Sequence, residues 1–157
     1  MTIDIDLSPL NSPAELVNAV FAARRGRRLD LLAELEALLD HEDPVVREEV
    51  LALLAITWQI ADLRGKARHV LEEDCDPGVR ARAALGVAAL AHGENRLADA
   101  DYLAAQYRHM GNPDEVRQAC FEGLTRLAGR PAIVNLADTS ETKVEKLLAT
   151  IREMPNP

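Results

Sequence analysis

Two groups of side chains in this sequence have the chemistry to act on another molecule. His41, Glu42 and Asp43 stand in a row. His69 shares a helical face with Glu73, four residues on, with Glu72 beside it. Imidazole and carboxylate at that spacing make half of a metal site, but zinc needs three or four ligands. No second His lies three or four residues from either, so the pattern reads as solvated polar residues and no metal is expected. The thiols are the candidate nucleophiles. Cys75 lies among Glu72, Glu73, Asp74 and Asp76, whose negative charge works against a thiolate. Cys120 falls on the apolar stripe of a helix, where a small core residue is the simpler role. Ser8, Ser12 and Ser140 stand beside proline or at helix starts, and there is neither a Gly-rich phosphate loop nor a nucleophile elbow. The expectation is no catalytic residue, no cofactor and no enzymatic activity.

Charge carries more information. The net charge is −8 over 157 residues. Residues 1–28 hold 4 basic and 3 acidic side chains, residues 29–76 hold 4 and 13, and residues 77–157 hold 10 of each. The whole excess therefore sits in one stretch. Such a field repels phosphates and anionic lipid and attracts a basic protein surface. Arg24-Arg25-Gly26-Arg27-Arg28 is the one basic run. It falls at a helix C-terminus, where the helix dipole favours cations, and reads as a cap and a salt-bridge source for the acidic helices that follow. With one Trp and an acidic middle, a nucleic-acid partner is not expected. No apolar run approaches the ~20 residues that span a bilayer. The N-terminus has two acids and no basic leader region, and the two cysteines form no CxxC pair. These features predict no membrane partner, no disulfide and a cytoplasmic location.

The elements that would position these groups are helices. Apolar residues make up 48% and aromatics 3%, and the apolar share is mostly Leu, Ala and Val, which favours helix packed on helix. Asp43-Pro44-Val45-Val46-Arg47 recurs as Asp76-Pro77-Gly78-Val79-Arg80, and again, with one extra residue, as Asn112-Pro113-Asp114-Glu115-Val116-Arg117. The Val-Arg pairs are 33 and 37 residues apart, a period that marks stacked supersecondary units. Asp or Asn before Pro caps a helix start, and proline excludes the α conformation from the residue before it, which ends the previous helix. Behind each step an apolar stripe runs at i, i+4, i+7, i+8: Val46, Val50, Leu53 and Leu54, then Val79, Ala83, Gly86 and Val87, then Val116, Cys120, Gly123 and Leu124. Helices before the steps are predicted at about 29–40, 60–74 and 95–109, the last with Leu97, Ala100, Leu103, Ala104 and Tyr107 apolar. Ser12-Pro13-Ala14-Glu15 reads as a capping box opening a first helix that Gly26 breaks, and Ser140 opens a last one.

A helix pair turning on Asp-Pro-x-Val-Arg with an Ala/Leu-rich second helix resembles a HEAT-like repeat, of the short bacterial variety also found in phycobilin lyases. The residues that carry the resemblance are Asp43, Pro44, Val46 and Arg47, with their counterparts at 76–80 and 112–117. It covers about residues 29–129. It implies an all-α, right-handed α-solenoid of antiparallel helix pairs, about eight helices in all. The organisation that follows is an N-terminal arm at 1–11, extended or disordered, and one repeat domain at 12–153. The domain divides into a capping helix at 12–28, pairs at 29–59, 60–93 and 94–129, and a C-terminal capping helix at 140–153. The resemblance also implies a ladder at the steps, in which Arg47, Arg80 and Arg117 reach Asp43, Asp76 and, more weakly, Asn112 of neighbouring repeats.

In such arrays the second helices line the concave face. The residues placed there are Glu48, Glu49, Ala52, Ile56 and Gln59 from the first pair, Arg82 and Leu85 from the second, and Glu122 from the third. Ile56 and Leu85 are apolar on a face that should be wet, as the centre of an interface rimmed by charge would be. Trp58 is placed between repeats. The expected role is a non-catalytic protein-interaction module that binds a basic partner through its acidic N-terminal half and concave face, with an inhibitor or immunity protein as the specific form. The alternative is a HEAT-like enzyme or accessory subunit, chromophore lyase-like or DNA-repair-like.

Overall fold

The computed structural model describes residues 12–93, 95–131 and 140–155, and every regular element among them is helical. The arm expected at residues 1–11 lies outside the described residues. The order is α1 (Pro13–Gly26), a broken helix, α3 (Pro44–Leu51), α4 (Arg64–Glu73), α5 (Pro77–Leu90), α6 (Asn95–Arg108), α7 (Asp114–Leu127) and α8 (Glu141–Glu153). The broken helix consists of a 3-10 turn (Leu29–Leu31), α2 (Leu32–Ala37) and a second 3-10 turn (Leu38–Asp40). The architecture is all-α with eight α-helices among the described residues, as the repeated Pro steps predict.

The steps form for the reasons visible in the sequence. Asp43 accepts from the Val45 N–H at 2.8 Å, and Asp76 from the Gly78 and Val79 N–H groups at 2.9 and 3.1 Å, each with proline in the first turn behind it. Ser12 and Glu15 exchange the two bonds of a capping box, at 3.3 and 3.2 Å. The third step departs from the pattern. Its extra residue moves Pro113 to the cap position, α7 starts at Asp114, and the Asn112 side chain turns back to donate to the carbonyl and side-chain oxygens of Gln106. Gly26 is not the breaker of α1 either. It is the last helical residue, and Arg27 takes the left-handed cap position at φ 46°.

The helices behind the steps form one layer. α3 packs against α1 and α5, and α5 against α7, while α4 backs α5, α6 backs α7, and α8 closes on α6 and α7. The core is Leu, Val and Ala, with Leu35, Leu54, Leu71, Leu103 and Leu124 wholly buried. Close approach is set by two glycines. A Cβ on Gly86 would stand 3.1 Å from the Ala55 Cβ, and one on Gly123 would stand 3.1 Å from both the Ala88 Cβ and the Leu103 Cδ1. The predicted stripe of α6 is correct except at its start. Leu97 is 39% exposed, and Asp99, 0% exposed, is buried in the same turn.

One feature has no counterpart in the periodicity. α3 runs on into a π-helical turn, Ala52–Thr57, closed by a bond from the Trp58 N–H to the Leu53 carbonyl at 2.8 Å. Gln59 then adopts φ 54°, and the chain reverses into Ile60 and a 3-10 turn, Ala61–Leu63. Left-handed backbone at a residue with a Cβ costs roughly 1–2 kcal/mol. The reversal seats Trp58 and Ile60 against the core.

Candidate functional site: two grooves and a chain of arginine ties

The arginines of the steps each bind the backbone at the end of the preceding helix. Arg47, with its side chain 10% exposed, donates from Nε and Nη2 to both carboxylate oxygens of Asp74 at 2.9 and 2.8 Å. Its Nη1 donates to the carbonyls of His41 and Glu42 at 2.8 and 2.9 Å. Asp74 also accepts the Asp76 N–H at 2.9 Å. Burial works to raise the Asp74 pKa, but the hydrogen bonds from Arg47 and the Asp76 N–H, with the charges of Arg47 and Arg80, outweigh it and hold the carboxyl below its usual range. Arg80 donates from Nε to the Leu71 carbonyl at 2.8 Å and from Nη2 to the Asn112 Oδ1. Arg117 donates from Nε to the Tyr107 carbonyl at 2.9 Å, lies over the Tyr107 ring at 5.3 Å, and pairs with Asp114 of its own helix at 3.4 Å.

Each arginine thus ties down the end of the preceding helix, and the first two also reach the next step. The partner of Arg47 is Asp74, not Asp43 or Asp76 as the expected ladder has it; those two carboxylates cap α3 and α5. Asn112, the departure in the sequence, is the residue that takes Arg80. Asp74 could have been found from the sequence: it stands two residues before a cap whose N–H it can accept, an Asx turn.

The first groove lies between α3, α5 and α7. It holds about 280 Å³ and is lined by Glu48, Ala81, Arg82, Leu85, Ala119 and Glu122, with Gly78, Glu115 and Gln118 completing it. Four of the eight interface residues read from the sequence meet here: Glu48, Arg82, Leu85 and Glu122. Glu49, Ala52, Ile56 and Gln59 do not line it. Ile56 and Leu85 are both half-buried, and Leu85 packs against the core, so neither stands out as an exposed apolar knob. Arg82 is bound to Glu48 at 2.6 Å and Arg126 to Glu122 at 2.5 Å. Glu115, which falls outside the periodic stripe because the third step carries an extra residue, is exposed.

The second groove lies between the loop at residues 40–42 and α4. It holds about 500 Å³. Leu39 and Val70 contribute apolar wall, and His41, His69, Glu42, Glu73 and Cys75 contribute polar groups. The two candidate metal half-sites and one thiol are therefore neighbours. His41 Nδ1 accepts the Asp43 N–H at 3.0 Å, which commits that nitrogen to the step. Among the described residues no three His, Cys, Asp or Glu side chains converge as metal ligands. Cys75 is exposed, with the Arg47 Nη2 at 3.8 Å from its sulfur. Cys120 is buried, and burial pushes its thiol up to about 12.

Behind this groove, α4 is tied to α6. Arg64 and Arg68 hold the buried Asp99 at 2.8 and 2.6 Å, Arg68 stacks on the Tyr102 ring at 4.4 Å, and the Tyr102 hydroxyl donates to Glu72 at 2.9 Å. The basic run at 24–28 contributes less than expected. Arg28 pairs with Asp30, while Arg24, Arg25 and Arg27 remain exposed and meet no acid among the described residues. No described helix is long and apolar enough to cross a membrane. Comparison of the chain with protein-family models, with curated proteins and with solved structures finds no match.

Proposed function

We propose that this chain is a non-catalytic protein-binding module, a HEAT-like array that holds a basic protein partner through its acidic N-terminal half and the face of its second helices. An inhibitor or immunity protein for a cationic toxin is the specific role this chemistry suits. One observation carries the reading. The four cations of residues 29–76 are all used inside the molecule: Arg47 by Asp74, Lys66 by Asp40, and Arg64 and Arg68 by Asp99, which lies outside that stretch. Glu34, Glu36, Glu42, Glu49, Asp62 and Glu73 meet no cation among the described residues. A field left uncompensated in this way does not stabilise the fold and raises the on-rate of a basic partner.

The test is capture from the native host with two baits, the wild-type chain and a variant carrying Glu34→Lys, Glu36→Lys, Glu42→Lys and Glu73→Lys. The wild-type bait is expected to retain a basic protein that salt releases, and the reversed bait to lose it. Retention of the same proteins by both baits, or capture of only acidic or neutral ones, overturns the reading.

A further inference from the structure

We infer that the groove between α3, α5 and α7 is the anchor point, and that its occupant is an amphipathic helix of the partner that sets one apolar side chain on Leu85 and a lysine or arginine on either side. This rests on the protein-binding reading above and gives it an address and a partner chemistry. Size comes first. About 280 Å³ falls just below the ~300–1,000 Å³ of small-molecule and cofactor sites, and suits one or two protein side chains. The floor is apolar and low: Leu85 is half-buried on the core, and Ala81 and Ala119 beside it let a backbone approach closely.

The rim supplies the charge. Glu115 and Glu122 are seven residues apart on one face of α7, which separates them by ~10.5 Å along the helix axis. Cations at i and i+7 of a partner helix have the same spacing, with an apolar residue at i+3 or i+4 falling between them. Arg82 is the one cation lining the groove, and Glu48 already neutralises it. Glu115 is exposed and meets no cation among the described residues, and the Glu122–Arg126 pair is a weak i,i+4 surface contact that an incoming cation displaces readily. At the far edge residue 78 is glycine, where a Cβ would stand 3.1 Å from the Asp76 Oδ1 that caps α5 and 3.7 Å from the Glu48 carboxylate.

The probe is a synthetic fluorescent helical peptide with Lys at i and i+7 and Leu at i+3 and i+4. Two controls accompany it, one with Leu replaced by Ser and one with Lys replaced by Glu. Titration against wild type is expected to give saturable binding that each control loses. Glu115→Lys with Glu122→Lys is expected to weaken binding by at least about tenfold, or 1.4 kcal/mol. The matched reversal Glu42→Lys with Glu73→Lys, on the other groove, is expected to change it by less than about threefold. In an amide spectrum of unsubstituted protein, which needs no variant to fold, the peptide is expected to move Ala81, Leu85, Gln118 and Ala119. Equal weakening by both reversals, or amide shifts confined to residues around His69, overturns the groove assignment while leaving a basic partner in place. No binding of the lysine peptide, together with loss of salt-released capture from the host, overturns both.

Discussion

Removing the carboxylate of Asp74 is the sharpest probe of what holds the steps together. Asp74→Ala deletes both carboxylate acceptors of Arg47 and the acceptor of the Asp76 N–H. Both side chains of the pair are 10% exposed, so the orphaned guanidinium stays largely out of water. Breaking a buried pair by removing one partner costs ~3–5 kcal/mol. Arg47 keeps the carbonyls of His41 and Glu42, which places the expected loss near the lower end, about 3 kcal/mol. At ~2–4 °C per kcal/mol for a chain of this size, the melting temperature should fall by roughly 6–12 °C. Asp74→Asn keeps one acceptor, as Asn112 does for Arg80, and should cost about 1–2 kcal/mol. The pH dependence supplies a second, independent check. The folded-state pKa of Asp74 lies below its unfolded value, so its stabilisation is fully present above the unfolded value of ~3.9 and disappears as pH falls through the folded one. Urea unfolding of wild type and Asp74→Asn should therefore converge below about pH 4. A loss under about 1 kcal/mol for Asp74→Ala, or a wild-type advantage that persists undiminished in acid, would refute the tie as described.

Other perturbations are expected to behave as follows. Cys75 should react with a thiol reagent in the native state, whereas Cys120, buried and with its thiol pushed up to about 12, should react only at the rate of opening, which a quenched labelling time course separates. Asp99→Ala leaves Arg64 and Arg68 facing an empty, wholly buried acceptor site and should cost about 3 kcal/mol or more, with Asp99→Asn less severe by denaturant titration. Gly123→Val places methyl groups where a Cβ alone already stands 3.1 Å from Ala88 and Leu103, and should destabilise by about 1–3 kcal/mol or more. Gln59→Gly removes the Cβ penalty at φ 54° and should raise stability by up to ~1 kcal/mol, the opposite sign from an ordinary glycine substitution.

The helices were legible because their start signals are local. Asp43, Asp76, Ser12 and Ser140 each cap within three residues of themselves, and a cap three residues long needs no knowledge of the fold. Burial on the second helices was legible for the same reason of short period. What escaped was long-range or came from irregular lengths. Asp74 as the acceptor of Arg47 and Asp99 as the acceptor of Arg64 and Arg68 are contacts across 27 to 35 residues, and although the Asx turn of Asp74 is local, nothing in the local pattern assigns an arginine to either acid. Leu97 was misplaced because the stripe was extended one turn too far toward a helix start, where Asp99 claims the interior. The π turn escaped because apolar periodicity assumes 3.6 residues per turn. Part of the candidate interface followed from this: Ala52 and Ile56 lie within the π turn and Gln59 just past it, and none of them lines the groove where Glu48, Arg82, Leu85 and Glu122 converge; Glu49, ahead of the turn on α3, also does not line it.

The π turn also bears on how an array of this kind can change length. A bond closed over five residues instead of four accommodates one residue more without moving the ends of the helix, so an insertion there is absorbed on the spot. The third step does the same with its extra residue, by moving the cap from Asn112 to Pro113 and giving the freed amide to Arg80. Units that differ in length can therefore sit side by side while the stripe from Val46 to Leu124 remains continuous. A single residue gained at either place is thus taken up locally, with the packing of α3, α5 and α7 on one another kept.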